Sequence, residues 1–308
     1  MLDETTKGIF TIAATPFLPN GALDFDSLKN MVDAYIEKGA TGLTILGMMG
    51  EADKLSSKES IAVIQTVTKH CNVPVIVGVS APGFSAMTMV SNAAMAARAT
   101  GVMVAPPSRL RTDAQITQYY QDTSEALGQI PFVLQDFPLA TGVIISTSVI
   151  LKIIENCPNC VMLKHEDWPG LEKITQLRKA SDAGARRISI LCGNGGMYLL
   201  EELLRGADGA DGAMTGFGYP EMMSHVMTAY KTGNLEQARD IFDAYLPMIR
   251  YEAQPGMGLV IRKYSLAKQG VIAHPTLRKP APLLTQDAIR EIDALAQRQD
   301  RRLQAIDV

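Results

Sequence analysis

The chain contains 308 residues, of which 47% are hydrophobic and 20% are charged. This composition is typical of a globular protein, and the length suits one barrel of roughly 200 to 250 residues with an extension, or two ordinary domains. The net charge of -3 argues against a nucleic-acid or membrane partner, because such partners are bound by clustered positive charge.

The N-terminal residues 1–5 are acidic and lack the basic-then-apolar order of a secretory signal. No uninterrupted apolar stretch is long enough to span a bilayer. We therefore expect a soluble protein in the cytoplasm.

Eight short apolar runs predict the strands of one sheet. Several are rich in Val and Ile and apolar throughout, which is typical of strands buried on both faces. The predicted strands cover residues 9–14, 42–46, 75–79, 102–105, 132–135, 161–164, 188–192 and 212–215.

Helical patterns separate these strands. Between the first two, apolar residues from Leu28 to Ile36 recur at spacings of three and four, and Gly39 offers a C-terminal stop. The next helix begins at Ser56, with Glu59 at the spacing of a capping box. Eight strands that alternate with helices predict an α/β fold, a (β/α)8 TIM barrel.

A doubly wound sheet is the alternative fold. It predicts a glycine fingerprint such as G-x-G-x-x-G after the first strand. The first strand leads instead into Ala-Thr-Pro-Phe at residues 14–17, so we favour the barrel.

The alternation ends after Gly233. Residues 234–252, 256–269 and 285–303 predict helices with no strands between them. We therefore divide the chain into a barrel at residues 1–232 and a C-terminal three-helix subdomain at residues 233–308, whose apolar face could also form a subunit interface.

Lys164 closes the sixth predicted strand, after the apolar residues 161–163. Burying an ammonium is costly, and desolvation favours a neutral amine that can attack a carbonyl. In a parallel barrel, catalysis occurs at the C-terminal ends of the strands. Two interpretations follow: a Schiff-base lysine, or an ordinary lysine paired with Glu166 or Asp167.

The second strand leads into Gly47-Met48-Met49-Gly50-Glu51. Two glycines around a strand-to-helix turn permit backbone conformations that are closed to other residues. The N–H groups exposed in such a turn can bind a carboxylate. We therefore include residues 47–50 among the candidate substrate-binding residues.

Other strand ends carry further polar or flexible residues. The fifth ends at Gln135 and Asp136, of which only the aspartate can titrate. The seventh leads into a glycine-rich turn with Asn194, and the eighth contains Met214. Asp136, Asn194 and Met214 are candidates for substrate binding.

Cys157 and Cys160 have C-x-x-C spacing. A zinc site would need a second pair of ligands, which the sequence lacks. We interpret the two cysteines as a helix end and a strand start. The sequence shows no P-loop, no Ser-His-Asp pattern and no metal-ligand cluster.

These motifs, in this order, resemble the dihydrodipicolinate synthase / N-acetylneuraminate lyase family. Residues 10–17 resemble its opening strand, residues 47–51 its G-[ST]-[ST]-G-E loop, and residues 135–138 take the place of its Y-N-x-P motif. Lys164 falls where the family keeps its Schiff-base lysine. The tail is similar to the closing K-x(6)-G…R-x-P pattern, with Lys263, Gly270, Arg278, Pro280 and Pro282.

The resemblance implies a (β/α)8 barrel with a three-helix C-terminal subdomain that assembles as a homo-oligomer, a tetramer or a dimer. It implies an imine between Lys164 and a 2-oxo acid such as pyruvate. It also implies aldol addition, aldol cleavage or dehydration with no metal or organic cofactor.

The departures from the family pattern concern its proton relay. The usual tyrosine is Gln135, and the hydroxyl residues of the glycine loop are Met48 and Met49. The helper tyrosine is replaced within residues 105–109, and a carboxylate-binding arginine aligns with Ala140. Because an amide cannot replace a phenol in acid–base catalysis, the lysine-pathway synthase activity is not expected.

The leading hypothesis is a Schiff-base lyase, an aldolase or a dehydratase. Lys164 is the nucleophile, and Gln135 positions the substrate or a water. A proton carrier is then required, and His165, Glu166 and Asp136 are the candidates. Strand alternation places Glu166 on the same side as Lys164 and His165 on the other, so Glu166 is the first choice. An ion pair between Glu166 and Lys164 is the alternative role.

Two other hypotheses stay open. The loss of the relay residues also fits a non-catalytic protein that binds a 2-oxo acid on the same scaffold. A rearranged relay would instead restore authentic dihydrodipicolinate synthase activity.

Overall fold

Eight parallel strands close into a barrel in the computed structural model, which describes residues 1–206 and 209–308. Each strand pairs with its neighbours in sequence, and the last pairs with the first. The strands are β1 (Gly8–Ile12), β2 (Gly42–Ile45), β3 (Val75–Gly78), β4 (Gly101–Val104), β5 (Phe132–Asp136), β6 (Cys160–His165), β7 (Ser189–Cys192) and β8 (Gly212–Ala213).

This topology confirms the predicted (β/α)8 barrel. The first and eighth strands end two residues before the predicted positions, at Ile12 and Ala213. Gly8 and Gly212 face each other where the barrel closes. A Cβ on Gly212 would lie 2.0 Å from the Gly8 carbonyl oxygen, so the close approach of these two backbones requires glycine.

Helices surround the barrel and continue beyond it. Within the described residues they are α1 (Phe25–Glu37), α2 (Ser57–His70), α3 (Phe84–Ala96), α4 (Asp113–Leu127), α5 (Pro138–Thr141), α6 (Thr147–Asn156), α7 (Leu171–Asp182), α8 (Leu199–Leu203), α9 (Glu221–Lys231), α10 (Leu235–Glu252), α11 (Gly258–Lys268) and α12 (Gln286–Ala305).

The helix ends follow the signals in the sequence. Ser56 and Glu59 form the predicted capping box at the start of α2. Gly39 has a φ of 93° just after α1, a conformation that suits a helix stop. Cys157 ends α6 and Cys160 begins β6, as predicted.

Among the described residues, three apolar clusters form the core. One fills the barrel interior, with side chains that include Phe10, Met162 and Met214. A second lies between the barrel and most of its helices. In the third, α9 and α10 share buried residues such as Met222 and Phe242.

The C-terminal helices are the predicted three, α10 to α12. Because α9 and α10 share one apolar cluster, the division of the chain after residue 232 stays a prediction. None of the described helices combines the length and apolar character that a bilayer crossing requires.

Candidate active site

A cavity of about 300 Å³ opens at the C-terminal ends of the strands. Its walls come from the ends of β1, β2 and β4 to β8, and from α10 and α11. Seven of the predicted site residues line it: Gly47, Met48, Met49, Gln135, Lys164, Glu166 and Asn194.

Lys164 and Glu166 form a buried ion pair at the end of β6. The Lys164 Nζ lies 2.8 Å from the Glu166 Oε2. The two side chains are only 6% and 5% exposed, respectively. Strand alternation brings both to the cavity side, as the sequence predicts. A primary amine and a carboxylate in contact can exchange a proton without the help of water.

Glu166 is held by two further donors. The Gln135 Nε2 donates to the Glu166 Oε2 at 2.7 Å, and the Asn194 backbone N–H donates to the Oε1 at 3.1 Å. A Cβ on Gly193 would lie 2.2 Å from the Glu166 Cγ. The glycine-rich turn after β7 therefore leaves the space that the Glu166 side chain occupies.

The loop at residues 47–50 makes a single 3₁₀ turn between two residues in the left-handed region. Leu46 has a φ of 54° and Glu51 a φ of 53°. Neither is glycine, so the backbone is strained on both sides of the turn. The first N–H groups of a helical turn have no intrahelical acceptor. Those of Met48 and Met49 are therefore available to a ligand carboxylate.

Gly50 and Met214 are not in the wall of this cavity. Gly50 is buried behind the loop, where its carbonyl oxygen accepts a hydrogen bond of 2.6 Å from the Thr15 hydroxyl. Met214 packs inside the barrel, and its neighbour Thr215 lines the cavity instead. Both residues lie behind the cavity wall, and their assignment to substrate binding stays a prediction.

Asp136 lies on the outer side of β5, away from the cavity wall. Its Oδ2 is 2.6 Å from the Lys173 Nζ, which also pairs with Asp167 at 2.7 Å. Burial raises the pKa of Asp136 to about 6, in spite of the opposing charge of Lys173. The structure therefore does not bring Asp136 together with Lys164.

His165 also faces outward. Its Nδ1 lies 2.9 Å from the Glu202 Oε1 on α8. Burial alone would lower the pKa of His165, but the hydrogen bond and charge of Glu202 outweigh burial and raise it. The Glu202 contact thus replaces any contact of His165 with the lysine.

Two charged residues of the C-terminal helices complete the cavity, and neither is among the residues predicted from the sequence. Glu252 ends α10 and Arg262 lies in α11, and each is at most 5% exposed. The sequence held one signal for Arg262, because Arg262 and Lys263 follow directly on the apolar residues 259–261, and charged residues are rarely buried without a partner.

The family model for the dihydrodipicolinate synthetase family matches residues 5–299. An L-2-keto-3-deoxyarabonate dehydratase of Azospirillum brasilense is 31% identical over 301 residues, which cover 96% of this chain and 94% of that enzyme. A 4-hydroxy-tetrahydrodipicolinate synthase of Psychrobacter sp. is 30% identical over 291 residues, or 94% of this chain and 93% of that one.

Solved structures show the same fold. The crystal structure of a dihydrodipicolinate synthase from Rhodopseudomonas palustris matches with a TM-score of 0.94 and 48% sequence identity. That match covers 96% of this chain and 99% of the other. The similarity therefore extends over the barrel and the C-terminal helices alike.

Proposed function

Because the chain belongs to the dihydrodipicolinate synthetase family, we propose that it is a Schiff-base lyase that acts on a 2-oxo acid through Lys164. Family membership and the relatives support a lyase in general. The identity of the nucleophile and of the substrate is our proposal.

The contact between Lys164 and Glu166 is the observation that carries this proposal. In our mechanism Glu166 takes a proton from the Lys164 ammonium, and the free amine attacks C2 of the 2-oxo acid. Glu166 returns that proton to the hydroxyl of the adduct, which leaves as water, so that the protonated imine forms and the Glu166 carboxylate is regenerated. The Met48 and Met49 N–H groups would hold the carboxylate of the acid beside the lysine.

We further propose that the reaction is a dehydration. Glu166 would remove a proton from C3 of the imine, so that the electron pair forms an enamine. The enamine then expels a hydroxyl from C4, which leaves as water with the proton that Glu166 took from C3, and hydrolysis of the imine releases the product. The dehydratase of Azospirillum brasilense, a relative over nearly the whole chain, supports this choice. So does Gln135, because an amide cannot relay the protons that a synthase needs.

Imine trapping tests the proposal. The protein is incubated with pyruvate and with larger 2-oxo acids, borohydride is added, and the adduct is located by mass spectrometry. We expect an adduct on Lys164 that is absent from the Lys164→Ala variant. The matched control is Lys152→Ala, at an exposed lysine of α6. This variant should still form the adduct on Lys164.

Other outcomes favour the other hypotheses. Folded protein that binds 2-oxo acids without an adduct would point to the non-catalytic role. Product formation from pyruvate and aspartate semialdehyde would point to the synthase with a rearranged relay.

A further inference from the structure

Arg262 has one side-chain nitrogen without a hydrogen-bond partner in the part of the chain that the structure describes. Its Nε donates to the Glu252 Oε1 at 2.7 Å, and its Nη2 donates to the Gly216 carbonyl oxygen. The Nη1 is buried and makes no hydrogen bond to a described residue. A buried donor of this kind costs free energy unless a ligand or water satisfies it.

The backbone leaves a space for this guanidinium at the cavity wall. A Cβ on Gly216 would lie 2.2 Å from the Arg262 Nη1 and 2.9 Å from the Ile12 carbonyl oxygen, so a larger residue at this position would displace the guanidinium. Gly216 and Arg262 both line the cavity that contains Lys164. Phe217, Ile249 and Leu259 contribute apolar side chains to the same wall, and Thr215 contributes a hydroxyl.

We propose that Arg262 forms a distal subsite that binds an oxygen atom at the far end of the substrate. This inference rests on the proposed function, because it assumes that the near end of the substrate is held by Lys164. The cavity of about 300 Å³ leaves room beyond a three-carbon acid. The substrate is therefore a longer 2-oxo acid with a polar far end.

The charge balance selects a neutral oxygen. Glu252 already neutralises Arg262, and its Oε2 accepts a hydrogen bond of 2.9 Å from the Gly218 N–H. A second carboxylate in the subsite would face the Glu252 carboxylate with only one guanidinium between them. A hydroxyl or ether oxygen accepts from Nη1 without that repulsion.

Two matched acids test the subsite. In 5-methoxy-2-oxopentanoate one oxygen replaces one methylene of 2-oxoheptanoate, and this acid cannot cyclise onto its own carbonyl. Borohydride trapping gives the concentration of each acid at which half of the protein carries the adduct. We expect the methoxy acid to reach half-trapping at about tenfold lower concentration, which corresponds to one hydrogen bond from a charged donor.

Variants assign this preference to Arg262. In the double variant Arg262→Met with Glu252→Gln, which leaves no unpaired charge, the two acids should be trapped equally. Arg262→Lys should reduce the preference too, and serves if the double variant does not fold. Arg205→Met, at an arginine outside the cavity, should keep the tenfold preference.

Each contrary result has its own meaning. Equal trapping of the two acids by the native protein, or a preference that survives both Arg262 variants, would overturn the subsite. Tighter trapping of 2-oxoadipate than of the methoxy acid would overturn the choice of a neutral oxygen. Absence of an adduct with every acid, pyruvate included, would overturn the proposed function and this inference with it.

Discussion

Glu166 is the residue on which the proposed chemistry depends, because its carboxylate contacts both Lys164 and Gln135. A Glu166→Gln variant keeps the size of the side chain but cannot take up a proton. We expect turnover to fall by about 10²–10⁴-fold, the usual contribution of a general base. Borohydride should still trap an adduct on Lys164, but more slowly, because water must then take the proton of the Lys164 ammonium. Steady-state assays and intact-mass spectrometry measure the two effects separately.

The control for this variant is Asp167→Asn. Asp167 is also a carboxylate close to the end of β6, but it pairs with Lys173 and does not line the cavity. Its substitution should leave turnover within a fewfold of the native value. If Glu166→Gln kept full turnover, Glu166 would serve only as the ion-pair partner of the lysine.

The turn between β7 and α8 shows how one element determines the position of another. Gly193 lies against the Glu166 Cγ, so the turn and the carboxylate cannot both keep their places if a methyl group is added. We expect Gly193→Ala to lower turnover at least tenfold by displacing Glu166, a small shift of a catalytic group being costly.

Gly83→Ala is the comparison for that variant. A Cβ on Gly83, the residue before α3, would contact nothing within 4 Å. It should leave turnover unchanged, and circular dichroism checks that both variants are folded. Native turnover in Gly193→Ala would show that the loop adjusts without moving Glu166.

At the scale of the whole molecule, the C-terminal tail (residues 258–282) makes hydrogen bonds to the loops that follow β1 and β2. The Lys263 Nζ donates to the Thr15 carbonyl oxygen at 2.7 Å and to the Glu51 Oε1 at 2.6 Å. The Arg278 backbone N–H donates to the Glu51 Oε2 at 3.0 Å. The strained loop at residues 47–50 ends at Glu51, so the tail supports its conformation.

The tail also gives the protein a pH dependence that can be measured. The hydrogen bond from Arg278 and the backbone N–H of Ser56 lower the pKa of Glu59 to about 2, from an ordinary value of 4.5. Between pH 4.5 and about 2 the unfolded chain binds more protons at this residue than the folded chain does. The stabilisation by Glu59 is therefore present above pH 4.5 and is lost as the pH falls towards 2.

We expect Arg278→Met to lower the melting temperature at neutral pH and to lessen the further loss between pH 4.5 and 2. Because Glu59 and Arg278 are partly exposed, the pH-dependent part of the effect should be at most about 1 kcal/mol. Thermal unfolding at a series of pH values measures it. Arg298→Met, at an exposed arginine of α12, should leave the profile parallel to the native one. A native-like profile in Arg278→Met would contradict the assignment.

The expected homo-oligomer stays a prediction.

The sequence by itself determined the barrel and the strand ends that carry Lys164, Gln135 and Glu166. Hydrophobic periodicity and strand alternation are local properties, so they indicate which side chains share a face before the fold is known. They do not indicate which distant residue meets that face. Asp136 is held outside the cavity by Lys173, 37 residues further along the chain.

Only the tertiary structure decided which residues form the wall of the cavity opposite the strand ends. Arg262 and Glu252 come from helices beyond the barrel, and their place at the strand ends follows from how α10 and α11 pack over it. In sequence they lie about 100 residues from Lys164, a separation over which periodicity gives no information about contact. The closing of the barrel and the packing of the tail brought the two ends of the site together.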